Sequence, residues 1–227
     1  MNLILNIKLL TILLFFGGGF LTNASDYTKV KKRYDVEVIY NEINNKTLSF
    51  NAFDMALKGL EHLQDSLKFN SSIISVIDFS QASSQKRYYL IDLNDKQIIH
   101  QDYVAHGKNT GGLMAQHFSN TVNSYKSSLG FYLTAETYYG KHGLSLRLDG
   151  LEKGINDKAR QRAIVIHAAD YAEADFIKKY ERLGRSFGCP ALPAANYKNI
   201  IKLIKEGTLL FIYAPQQAYF KNSSILK

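Results

Sequence analysis

The chain has 227 residues, of which 46% are hydrophobic, with 15 Tyr and 13 Phe. This is the length of one domain with a small N-terminal addition, and the large apolar side chains suffice for a real core. A net charge of +8 and a pI of about 9.3 suit a polyanionic partner, but there is no zinc-finger spacing, basic helix or aromatic-and-basic RNA motif, so the charge reads as attraction to an anionic envelope, with no nucleic acid as partner.

The first residues read as a targeting signal. One cation, Lys8, precedes the apolar run Leu9–Leu21, and Thr22-Asn23-Ala24 supplies small residues for cleavage after Ala24. The run is too short for an ordinary membrane span. Residues 1–24 are thus expected to be a signal peptide, with an uncleaved N-terminal anchor as the other reading. No stable membrane span is expected after cleavage, and the mature protein is placed in the periplasm or cell envelope. Residues 25–47 are polar and mixed, with the densest cationic run at Lys29, Lys31, Lys32 and Arg33, and read as a loosely packed leader.

The body of the chain is expected to span residues 48–215. Phe50, Phe53, Leu57, Leu60, Leu63 and Leu67 recur at three- and four-residue spacing and predict an amphipathic helix over 49–68, capped by Ser49 or Asn51. Strand patterns follow at Ile73–Phe79, and at Arg87–Leu93 and Gln97–Ala105 around the turn Asn94-Asp95. The loop Gly107–Gly112 is glycine-rich, but no helix follows to make it an anion site. Leu129–Thr137 and Leu144–Leu148 predict two more strands. Ala163–Ile166 is a short buried strand running into His167, and residues 170–182 have the composition of a short helix. Gly184–Pro193 reads as a loop, Ala194–Lys205 as a helix closed by Gly207, and Thr208–Ala214 as a last strand stopped by Pro215. Residues 216–227 are left as a C-terminal tail. Short strands in the middle with helices near both ends predict a mostly β fold with accessory helices, a sandwich or barrel-like domain.

Cys189 is the only cysteine. In an exported chain it has no disulfide partner within the molecule, so it is an inert core thiol, an intermolecular partner or a reactive thiol. Its surroundings, Gly184-Arg185-Ser186-Phe187-Gly188-Cys189-Pro190-Ala191, suit the reactive reading. Gly188 permits a sharp turn that leaves backbone amides free for a developing oxyanion, and Arg182 and Arg185 raise the local potential. His167, at the end of an apolar strand, is the candidate base. Taken singly, each residue also has a structural reading: a hydrogen-bonded strand histidine and a packed loop thiol. His106, His117 and His142 have no metal-ligand spacing with His167, and no metal is expected.

These blocks resemble the murein L,D-transpeptidase catalytic domain family, a YkuD-like branch. The resemblance rests on Phe118-Ser119-Asn120, Ser127-Ser128-Leu129-Gly130, Tyr139-Gly140-Lys141-His142-Gly143, Leu146-Arg147-Leu148 and, most specifically, Gly184–Ala191. It runs from about Leu48 to Ala214. The chain departs from the wider family at Phe187, where a histidine is usual, at Pro190-Ala191, and at Ala168, where glycine is common. The resemblance implies a YkuD-like β-sandwich or barrel catalytic domain and a cysteine acyltransferase acting on peptidoglycan stem peptides. Cys189 would attack the bond before terminal D-Ala, with His167 as base, and 3→3 cross-links would form through a thioester. Backbone amides of Phe187, Gly188 and Cys189 would form the oxyanion hole, and Ser186 and Arg185 would contact substrate. Both also have structural readings, a turn hydroxyl and a solvated surface arginine. L,D-carboxypeptidase hydrolysis of the same bond and a catalytically silent wall-binding module are the other functions the fold allows. Acylation by carbapenems is implied. No cofactor is, because acyl transfer from an amide needs only nucleophile, base and oxyanion donors. The partner that orients His167 is left open between Asp170 and a backbone carbonyl.

Overall fold

A computed structural model describes residues 33–227; the expected signal segment 1–24, and residues 25–32 of the leader, lie outside the described residues. Helix α1 (Val36–Ile43) starts at Asp35, whose carboxylate accepts the Val38 amide hydrogen at 3.1 Å. Helix α2 (Phe50–Leu63) starts at Ser49, whose hydroxyl accepts from Ala52 at 3.1 Å, and buries Phe53, Ala56, Leu57, Leu60 and Leu63 on one face. The exposed Phe50 packs edge-on against Tyr40. Gly59 meets the sheet: a Cβ there would come within 2.0 Å of the Phe131 ring, so only glycine allows this approach.

Among the described residues eight strands form one mixed sheet: β1 (Asn70–Asp78), β2 (Tyr88–Asp92), β3 (Gln97–Asp102), β4 (Gly130–Gly140), β5 (Gly143–Gly150), β6 (Val165–Ala168), β7 (Ala191–Leu192) and β8 (Thr208–Tyr213). Their order is β3-β2-β1-β8-β4-β5-β6-β7. β8 lies parallel to β1 and antiparallel to β4, and all of its residues are buried. Its unbroken apolar run, Leu209–Tyr213, suits a strand covered on both faces. Beyond β3 the chain bends back to the far edge, where Ala105 and Ala191 form an isolated bridge. That bridge brings the segment after β3 against β7, the strand at the opposite edge of the sheet.

Helix α3 (Ala174–Tyr180) follows a 3-10 turn at Asp170–Ala172, and α4 (Tyr197–Ile204) buries Tyr197, Ile200, Ile201 and Ile204. The stop of α4 is at Lys205, ahead of Gly207, which continues at φ +109°. Among the described residues no helix is long and apolar enough to cross a membrane.

The ends differ from expectation. From residue 33 the leader is packed: Tyr34 and Ile39 are buried, and the Tyr40 hydroxyl donates to the carbonyl of Leu48, the first residue of the body, at 2.6 Å. The C-terminal tail is also docked. Helix α5 (Gln217–Asn222) buries Tyr219, and Ile225 follows it into the core. The anchor is the buried Glu152, which accepts from the Phe131 amide at 2.8 Å, from the Tyr219 hydroxyl at 3.0 Å and from the Ser223 hydroxyl. Burial pushes the Glu152 carboxyl up, partly offset by these donors.

Candidate active site

The short strand β6 carries His167, and its neighbours set the site. β6 pairs antiparallel with β5 (Leu146 opposite Ile166) and parallel with β7, where His167 stands opposite Ala191. Cys189 lies two residues before that paired alanine. Strand pairing thus brings together two residues that are 22 positions apart in sequence. Both line a cavity of about 420 Å³, walled by Tyr138, Arg162, Tyr171, Arg185 and the hairpin tip Gly140–His142.

The loop that presents Cys189 is held by its own atoms. Ser186 is buried. Its hydroxyl donates to the Cys189 carbonyl at 2.6 Å and accepts from the Gly188 amide at 3.0 Å. Its amide donates to the His106 carbonyl at 2.9 Å, and its carbonyl accepts from Lys108 at 2.8 Å. Of the two readings of Ser186, the turn-ordering hydroxyl is the one its hydrogen bonds fill. Gly188 has φ +128°, and a Cβ there would meet the Lys126 carbonyl oxygen at 2.9 Å. Because the Gly188 amide is engaged by Ser186, it is turned to the loop. The Phe187 and Cys189 amides of the expected oxyanion set have no hydrogen-bond partner among the described residues.

The thiol of Cys189 faces the Ala163 carbonyl, with Sγ 3.6 Å from that oxygen. Ala163 has φ +52°, a left-handed conformation uncommon for a residue with a side chain. Burial pushes the Cys189 thiol up, against the opposing pull of the Val165 amide and of the cations Arg162 and Lys141. The expected electrostatic helpers, Arg182 and Arg185, are not these cations. Arg182 donates to the Leu183 carbonyl at 2.8 Å. Arg185 is exposed at the cavity rim and reaches the Gly111 carbonyl at 3.3 Å, which leaves its charge near the mouth.

Arg162 was not singled out by sequence. It donates to the Ser119 carbonyl at 2.8 Å, the Ser128 hydroxyl at 2.5 Å and the Lys126 carbonyl, so it ties the segment 119–128 to the floor of the cavity. The only signal in sequence was its place just before the apolar strand that ends at His167.

His167 is 3% exposed. Its Nδ1 lies 2.8 Å from the Ala168 carbonyl oxygen. A carbonyl only accepts, so Nδ1 carries the proton and Nε2 is left with its lone pair. The orienting partner is therefore a backbone carbonyl, the second of the two alternatives, and Asp170 is not hydrogen-bonded to the ring. Burial lowers the His167 imidazole below its ordinary range; the Ala168 carbonyl opposes this, and His142 and Lys141 add to it. Burial thus moves the thiol and the imidazole in opposite directions, each toward its neutral form.

His106 is a different kind of histidine. It is buried, its Nδ1 accepts from Arg87 at 2.8 Å and its Nε2 donates to Gly111. Burial, with Arg87 next, lowers it to about 3. Arg87 is fully buried, lies 4.6 Å from the Phe79 ring centroid and donates to the Val104 and Gln81 carbonyls. This network supports the strand that receives the cysteine loop. Among the described residues no group of three or more His, Cys, Asp or Glu side chains could hold a metal ion.

At the cavity mouth Phe187 is 63% exposed and packs against Tyr125, with centroids 4.8 Å apart and planes tilted by 46°. The Lys108 ammonium lies over both rings, at 5.2 and 4.6 Å from their centroids.

The sequence of residues 44–213 matches a family model described as an L,D-transpeptidase catalytic domain, and the chain belongs to that family. No curated protein matches it. Solved structures similar to it include an L,D-transpeptidase from Mycobacterium smegmatis, at 11% identity and a TM-score of 0.39, covering 63% of this chain and 59% of that one. L,D-transpeptidase 3 from Mycobacterium tuberculosis, in complex with a faropenem-derived adduct, matches at 11% and 0.40 over 63% and 60%. An L,D-transpeptidase from Xylanimonas cellulosilytica matches at 12% and 0.36 over 63% and 60%. The chain spans about three-fifths of the length of these solved chains.

Proposed function

We propose that the protein is a cell-envelope cysteine acyltransferase that acts on peptidoglycan stem tetrapeptides and forms 3→3 cross-links. The observation that carries this reading is the pairing of β6 with β7. It brings the loop of the chain's single thiol to the same cavity as a buried imidazole whose proton is held on Nδ1 by the Ala168 carbonyl.

In the first half-reaction, His167 Nε2 takes the thiol proton as Sγ attacks the carbonyl before terminal D-Ala. The carbonyl oxygen gains the charge, and the free amides of Phe187 and Cys189 are the donors assigned to it. Collapse breaks the C–N bond. His167 gives its proton to the departing amine, D-Ala leaves and a thioester remains. In the second half-reaction an amine of another stem attacks the thioester and passes a proton to His167, which returns it to Sγ as the thiol leaves. Arg162 and Lys141 lower the cost of negative charge on sulfur as each step passes through it. Arg185 at the rim suits a stem carboxylate, which a guanidinium grips with two parallel donors.

Export follows from the same reading. Residues 1–24 are assigned as a signal peptide, 25–47 as a leader and 48–215 as the catalytic domain, with 216–227 completing its core. A carbapenem is expected to acylate Cys189 by the same attack on its lactam carbonyl.

The test is intact mass of the protein mixed with a disaccharide-tetrapeptide, beside Cys189→Ala. The expected result is a thioester adduct with release of D-Ala in the wild type alone. No adduct and no D-Ala from folded protein overturns the reading and favours a silent wall-binding module. A cross-linked dimer among the products separates transfer from L,D-carboxypeptidase hydrolysis, which leaves only the tripeptide.

A further inference from the structure

The β4–β5 hairpin turns on two residues, Lys141 and His142, between the paired glycines Gly140 and Gly143. Gly143, the residue that follows them, adopts φ +75°, which glycine meets without strain. The tight turn fixes where its side chains go. The His142 ring lies over His167, with centroids 4.5 Å apart and planes 26° from parallel. Stacked faces direct neither N–H at the other ring, so the pair does not pass a proton through a hydrogen bond. What differs is exposure: His142 is open to solvent and His167 is buried.

We propose that His142 is a positioning residue for His167: its exposed ring, stacked on the buried one, holds the buried imidazole in its neutral, basic form. This rests on the reading of His167 as the base.

Water stabilises a cation on His142, whereas a cation on His167 is desolvated. Once His142 is charged, a second proton on His167 faces a like charge at 4.5 Å. The groups around the pair fall on two sides. Lys141 shares the turn, and Tyr138, Arg162, Arg185 and Cys189 line the cavity on the inner side. Asp170 and Tyr171 come from the 3-10 turn. Asp170 is the one carboxylate in this set, and it lines the outer recess with Lys141 and His142, not the cavity of Cys189.

The test is an NMR titration of the His167 ring, identified by its loss in His167→Ala, in wild type, His142→Phe and His142→Lys. Phenylalanine keeps a flat ring and removes the charge. The His167 midpoint is expected to rise by about half a pH unit or more, the effect of one unit charge at this distance in a water-like medium. Lysine keeps a charge and removes the ring, and the midpoint is expected to stay at or below the wild-type value. The pH dependence of Cys189 alkylation by iodoacetamide should shift in the same direction as each midpoint. A midpoint unmoved by phenylalanine but raised by lysine makes His142 mere packing and overturns the proposal. Neither readout uses peptidoglycan, so a protein that fails to react with a stem peptide can still pass or fail this test.

Discussion

At the scale of single residues, the cysteine loop is held by bonds that leave little tolerance. Gly188→Ala forces a Cβ against the Lys126 carbonyl at a φ that favours glycine. It is expected to cost about 1–3 kcal/mol and to slow alkylation of Cys189, read by thermal unfolding and by the rate of iodoacetamide labelling. Arg162 matters to stability and to reactivity for different reasons. Its hydrogen bonds hold the segment 119–128, and its charge lies near the sulfur. Arg162→Gln is expected to lose about 2 kcal/mol or more, since it strips donors from part-buried acceptors. It should also lower the alkylation rate below that of Ser128→Ala, which removes one of the same bonds and keeps the charge. Equal rates in the two variants would assign Arg162 to packing alone.

At the scale of elements, two features were plain in sequence and two were not. Helix α2 was visible because its apolar residues recur at helical spacing and Ser49 precedes them. Ser49→Ala should therefore cost about 1 kcal/mol, measurable as a fall in urea midpoint with unchanged slope. β8 was visible because it is a continuous apolar run. Helix α5 was read as a tail because its six residues are too few to show a period, and its anchor, Glu152, lies far away in sequence. Deleting residues 216–227 removes Tyr219 and Ser223 from Glu152 and leaves a buried carboxylate with only the Phe131 amide. The expected result is a loss of several kcal/mol, seen as a lower unfolding temperature or as insoluble protein. A truncated chain as stable as the full one would contradict this. The strand β7 was read as loop because two residues carry no alternation at all.

At the scale of the whole molecule, the buried histidine His106 couples folding to pH. Folded, it resists protonation down to about 3, whereas in the unfolded chain it takes a proton near 6.5. The unfolded state therefore binds more protons between those values, and stability falls as the pH drops from about 6.5 toward 3. One such group contributes a slope of about 1.4 kcal/mol per pH unit. The lowered His167 acts in the same direction, while the raised Glu152 acts in the opposite one, adding stability as the pH falls through its folded range. Comparing wild type with His106→Gln by denaturant unfolding across this range isolates the first contribution. The variant should show the shallower dependence on pH.

By itself the sequence determined the class of fold, the cap of α2, most strands and the two candidate side chains of the site. Those rest on local chemistry: apolar spacing, turn residues, a lone thiol beside glycine, a histidine ending a buried strand. The fold decided which groups surround them. Arg162 replaces Arg182 and Arg185 as the cation near the thiol, because its donors reach acceptors in segment 119–128 while Arg182 is held on the Leu183 carbonyl and Arg185 lies exposed at the rim. The Ala168 carbonyl orients His167 in place of Asp170, because β6 ends one residue beyond the ring. His142 reaches His167 only through the β4–β5 hairpin. None of these is a neighbour relation along the chain. Each comes from strand register, which depends on packing across the whole sheet and leaves no mark at a fixed spacing in sequence.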